Sequence, residues 1–193
     1  MVYTYIGTES ITSSTSEVDI TIASGYDEIV FQFHQYRGGD SHGRGMGFQV
    51  NTASATSYNR PMQTGNYGIS SGYGYDWQGA SFYGDDGTNR GWQHSSVAGL
   101  QGIVMAGENE TGGDISQMSS SGMLTLYKPK ASGTSWKHFI ANGNGNYKSG
   151  GTWYAYCHIF AGYIKETDAL TTIRFAPFSG NFERVIINQY GLS

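Results

Sequence analysis

Period-two alternation is the feature that most restricts what this chain can become. In "DEIVFQFHQYR" (27–37), Ile29, Phe31 and Phe33 fall on one side of the backbone, Gln32 and His34 on the other. Just upstream, "EVDITIA" places Val18, Ile20 and Ile22 on one side. Successive side chains of a strand point to opposite faces, so segments like these bury one face only as β-structure. Further strand candidates follow at 100–107, 122–129, 135–142, 152–164, 170–175 and 181–190. Helical spacing is almost missing; "ASATSYN" (53–59) is a short window that does not sustain a helix.

Many short strands parted by Gly, Ser and Asn turns predict an all-β protein, an antiparallel sandwich or barrel. The chain has 29 glycines and three prolines, and Pro129 and Pro177 sit at strand ends, where proline is tolerated. Residues 1–193 are read as a single β-sandwich domain. Within it, 38–99 is a loop-rich excursion, its core pattern lost among Gly and aromatics in "GNYGISSGYGYDWQGASFYGDDGTNRGW" (65–92), with room for a hairpin. The closing "NFERVIINQYGLS" carries apolar groups in both phases: Val185 and Ile187 in one, Phe182, Ile186 and Tyr190 in the other. A strand apolar on both sides is expected to be central or covered, not a solvent-facing edge.

Only 13% of the residues are charged, and the formal net charge is −4. The 11 Lys and Arg are scattered singly, so no basic stripe is available to neutralise phosphates, and nucleic-acid binding is not expected. No stretch reaches the ~18 consecutive apolar residues of a membrane span. The opening residues lack a basic start and apolar run, and the single Cys157 has no internal partner. Both fit folding in a reducing cytoplasm without a signal peptide.

Motifs that could carry chemistry are weak. The histidines at 34, 42, 94, 138 and 158 lack ligand spacing to one another or to Cys157, so no metal or cofactor is expected. "GDDGTNRG" (84–91) departs from a calcium loop at Gly87 and at Ser96, where the closing Glu would stand, and reads as an Asx-Gly turn. "GISSG" (68–72) matches the nucleophile-elbow pattern but has no helix after it. Glu108, Glu110 and Asp76 do not form a convincing acid pair for glycoside hydrolysis, and no catalytic residue is assigned.

Aromatics are the remaining signal. The chain has 15 Tyr, 9 Phe and 4 Trp. Tyr67, Tyr73, Tyr75, Trp77, Phe82, Tyr83 and Trp92 are interleaved with Gly in a single segment. Rings with few competing charges suit either a buried protein interface or a platform for sugar faces. Low charge runs through the whole chain rather than one cleft, which favours the interface.

Both ends of the chain are similar to a known family. "YTYIGTESITSSTSEVDITIASGYDEIVFQFHQYR" resembles the start of tailed-phage virion proteins of the marine phage and cyanophage type. There a Ser/Thr-rich strand leads through a "tYdelv"-like turn into a long aromatic and aliphatic strand. "ALTTIRFAPFSGNFERVIINQYGLS" resembles the family's ending, through Ile173, Phe175, Gly180, Phe182, Val185, Ile187, Tyr190, Gly191 and Leu192. "SGMLTLYKPKASGTSWKHFIA" resembles its middle strand pair, with a Lys near the second strand; 38–99 has no counterpart. The resemblance implies a jelly-roll-like β-sandwich on the virion surface: an oligomeric, commonly trimeric, non-catalytic capsid decoration or cement protein, or else a head or tail fibre component. Its partners would be copies of itself and other virion proteins, above all the major capsid protein. A host surface glycan is the alternative partner, through a receptor-binding module.

Overall fold

The computed structural model describes residues 2–38, 46–50, 61–72, 74–78, 101–103, 120–133, 137–149, 152–164, 168–177 and 180–193; for 49, 61–72, 74–78, 101–103, 145–149 and 152–164 it describes the backbone alone. The expected all-β, antiparallel character is observed. The strands are β1 Thr4–Ile11, β2 Val18–Thr21, β3 Glu28–Gly38, β4 Met46–Val50, β5 Pro61–Gly72 and β6 Gly74–Gln78. They continue as β7 Gln101–Ile103, β8 Ser120–Tyr127, β9 Lys137–Ser149, β10 Thr152–Ile164, β11 Thr172–Pro177 and β12 Phe182–Leu192. No helix is present among the described residues, so none there could cross a membrane.

Two sheets face each other. The long sheet has the order β1-β12-β3-β8-β9-β10-β5-β6, and the short sheet β2-β11-β4-β7. Every named pairing is antiparallel. With the β9–β10 and β5–β6 pairs set aside, four strands remain in each sheet: β1-β12-β3-β8 opposite β2-β11-β4-β7. The chain steps between these sheets at β1, β2, β3 and β4, and again at β7, β8, β11 and β12.

The core lies between the sheets and follows the alternation. Ile29, Phe31 and Phe33 of β3 are fully buried, as are Leu124 and Leu126 of β8. Across the gap, the Phe175 ring meets the edges of Phe31 and Phe33 at centroid distances of 5.4 and 5.0 Å, and Phe48 meets Phe139 at 5.2 Å. Such edge-to-face pairs add about 0.5–1.5 kcal/mol each beyond area burial. Gln189, buried on β12, donates from Nε2 to the Thr21 carbonyl at 3.2 Å and ties the long sheet to β2. Lys137, the lysine at the start of β9, is also buried, and its Nζ donates to the Asp168 carbonyl at 2.6 Å.

Three observations depart from the sequence reading. The 38–99 segment is more than a loop excursion, since β4 supplies the buried Met46, Phe48 and Val50; the hairpin for which it left room is β5–β6, which extends the long sheet. β9 runs on through "NGNGN" to Ser149 instead of ending at Asn142. Phe182 lies in the core with Val185 and Ile187, not on the opposite face. The register of β12 against β3 shifts twice between Phe182 and Ile186, so simple parity fails there. A matching irregularity sits on β3, where Gln35 adopts φ 54° and Tyr36 turns inward against the Phe182 ring at 5.9 Å.

β12 lies between β1 and β3, so the closing strand is central, as expected.

Candidate functional site

The aromatic segment falls at one end of the long sheet. Tyr67 lies in β5, opposite Ile159 of β10; Tyr75 and Trp77 lie in β6, opposite Ser71 and Ile69. Tyr73, Phe82, Tyr83 and Trp92 lie outside the described residues, as do Asp85, Asp86, Glu108 and Glu110. The hairpin thus brings Tyr67, Tyr75 and Trp77 onto two neighbouring strands in one pleat phase.

"GISSG" is part of β5. Ser70 stands in the ladder opposite Asp76 and Tyr156, so the strand-to-helix turn that a nucleophile elbow needs is not formed there. His34 and His138 are exposed on separate strands. No group of three or more His, Cys, Asp or Glu residues able to hold a metal is found among the described residues.

The strand ladder carries the phase of Tyr67 and Trp77 across the long sheet. From Tyr67 the pairs run Ile159, Asn142, Met123, Gln32, Asn188 and Thr8. From Trp77 they run Ile69, Cys157, Asn144 and Ser121. Over β12, β3, β8 and β9 this is the phase turned away from the core, because the alternate residues Phe31, Leu124, Ala141 and Ile187 are the buried ones.

Side chains on this face are tied together within the sheet. The Thr8 hydroxyl donates to Asn188 Oδ1 at 2.5 Å and lies 2.8 Å from the Tyr5 hydroxyl, while the Tyr5 ring meets the Tyr190 edge at 5.7 Å. Three strands away, the Ser121 hydroxyl donates to Asn144 Oδ1 at 2.7 Å. Tyr5 is 57% exposed and Tyr3 48%. At the edge of the patch, the Tyr3 hydroxyl donates to Glu28 Oε2 at 3.2 Å. Partial burial, then the Glu28 charge, push its pKa above the ordinary phenol value.

The outer surface of the short sheet is built differently. Arg174 of β11 grips Asp19 of β2 with two 2.7 Å hydrogen bonds, and its Nη1 lies 3.0 Å from Glu17. The bidentate bond to Arg174 holds the Asp19 carboxyl below the usual carboxylate range. Against this ionic cluster, the row Thr8, Asn188, Gln32, Met123 and Asn142 on the long sheet is an uncharged lattice, while Glu28 and the Arg37–Glu183 pair at 2.7 Å stand elsewhere on that sheet. The Asn and Thr positions of that lattice carried no signal in sequence, because only strand pairing brings residues as distant as Thr8 and Asn188 together.

The turn and ending singled out at the termini also meet. The Asp27 N–H donates to the Leu192 carbonyl at 2.7 Å, and the Tyr26 ring packs directly on Gly191. Comparison of the chain with protein-family models, with curated proteins and with solved structures finds no match.

Proposed function

We propose that this chain is a structural, non-catalytic protein of a bacteriophage particle: an oligomeric capsid decoration or cement protein on the virion surface, meeting copies of itself and the major capsid protein. The observation that carries the reading is the joint between the two ends. The turn "SGYDE" and the ending "YGL", on which the resemblance to tailed-phage virion proteins rests, are 165 positions apart at Tyr26 and Gly191 yet form one contact. The residues of the resemblance thus act as one structural unit.

The strand order supports the same reading. Four strands β1-β12-β3-β8 opposite β2-β11-β4-β7, with the chain alternating between them, are consistent with a jelly-roll winding, an architecture common in virus capsid and lectin domains. That argument is one of fold analogy. Low charge and abundant tyrosine suit a surface that ends packed against neighbours.

The test is cosedimentation of purified protein with emptied phage capsids, alongside its mass by analytical ultracentrifugation. Saturable capsid binding by an oligomer is expected. A stable monomer that leaves capsids unbound overturns the proposal.

A further inference from the structure

A pair of arginines stands where strand pairing is least regular. Between Phe182 and Arg184 the register of β12 against β3 shifts, so Glu183 and Arg184 together oppose the single residue Arg37. A second shift separates Arg184 from Ile186, and on β3 it coincides with Gln35, a non-glycine residue at φ 54°. Left-handed backbone at such a residue is strained, and strain of this kind clusters at sites where bulges re-aim side chains toward a ligand.

The same pairing sets Arg184 directly opposite Arg37. Opposed residues have Cβ atoms about 5 Å apart, and like charges there are destabilising. Among the described residues one carboxylate answers the pair: Glu183 Oε2 lies 2.7 Å from Arg37 Nε. That Nε is buried yet makes no hydrogen bond. Arg174 is the contrast, its fork closed on Asp19 by two 2.7 Å hydrogen bonds. Arg184 is exposed, and among the described residues no hydrogen bond or ion pair engages it. The chain has 11 Lys and Arg against 15 Asp and Glu, so an arginine pair with half its charge unanswered runs against the overall balance.

We propose that Arg184 and Arg37 form an oxyanion site, taking one carboxylate, sulfate or phosphate group of a ligand between them. Each guanidinium carries a planar fork of N–H donors that matches such a group bidentately. A bound anion supplies the negative charge that Glu183 alone does not, and the opposition of the two arginines becomes favourable. The site does not rest on the capsid reading, and its test involves no capsid.

The experiment is an NMR titration of the isotope-labelled full chain with sodium acetate, sulfate and phosphate, each against sodium chloride at equal ionic strength. Saturable amide shifts centred on 34–37 and 182–186 are expected. Acetate produces them if the ligand is a carboxylate, sulfate and phosphate if it is tetrahedral. Arg184→Gln should weaken the response at least about tenfold, and Arg37→Gln likewise. In chloride Arg184→Gln should melt no lower than the parent, because it removes one of two opposed charges from an exposed position. That variant therefore carries the test even where Arg37→Gln does not fold. Two results overturn the proposal: no saturable shift at these residues with any of the three anions, or shifts that Arg184→Gln leaves unchanged.

Discussion

The ring of Tyr26 covers Gly191 so closely that a Cβ at position 191 would lie 2.4 Å from its Cγ and Cδ1. The glycine is required by its neighbour rather than by its own backbone angles. Here the turn entering β3 locks onto the end of β12, helped by the Asp27 N–H to Leu192 carbonyl bond.

Gly191→Ala is therefore expected to destabilise the fold by about 1–3 kcal/mol, as the Tyr26 ring must move. The double variant Tyr26→Ala/Gly191→Ala should cost less than the sum of the single changes, because removing the ring removes the clash. Urea unfolding of the four proteins measures this, and strict additivity would contradict the contact.

Removal of β12 should be far more severe. β12 is hydrogen-bonded to β1 on one side and β3 on the other and places Phe182, Val185 and Ile187 in the core. Deleting 182–193 exposes β3 and strips a wall from the core, and the product is expected in the insoluble fraction. Soluble protein with a cooperative melt would contradict this.

Phe175 joins the two sheets, its ring meeting both Phe31 and Phe33 edge-on. Phe175→Ala should lower stability by about 3–5 kcal/mol, read from the shift in denaturant midpoint at constant slope.

The Asp19–Arg174 pair makes a pH-dependent contribution. The folded-state pKa of Asp19 is depressed, so its stabilisation is present above the unfolded carboxylate range and disappears as pH falls through the folded value. Asp19 is 46% exposed, which keeps the effect within about 1 kcal/mol despite the bidentate geometry. Asp19→Asn should lower the melting temperature near neutral pH, and the difference from the parent should close in strong acid. A difference that persists there would assign the effect to packing.

How much was legible depends on how local the cause was. β3 and β2 could be read because amphipathic alternation needs no partner to be recognised: Ile29, Phe31 and Phe33 are buried as a set, with Ile20 and Ile22. β4 escaped because "MGFQV" is short and set among glycines, and its burial comes from facing Phe139 across the gap. β9 extends past the expected 135–142 because pairing with β8 and β10 on both sides keeps its Asn-Gly steps extended, although Asn-Gly favours hairpin turns.

By itself, then, the sequence determined the all-β class, the alternating core faces and the covered character of the last strand. Each depends on the period of side chains along one segment and on the cost of wetting apolar groups. The tertiary structure decided which strands are neighbours, that the Phe182 phase inverts through irregular register, and that Thr8 meets Asn188 and Tyr26 meets Gly191. The last two contacts join positions more than 150 residues apart, and no local periodicity records them; they exist only once distant strands have paired.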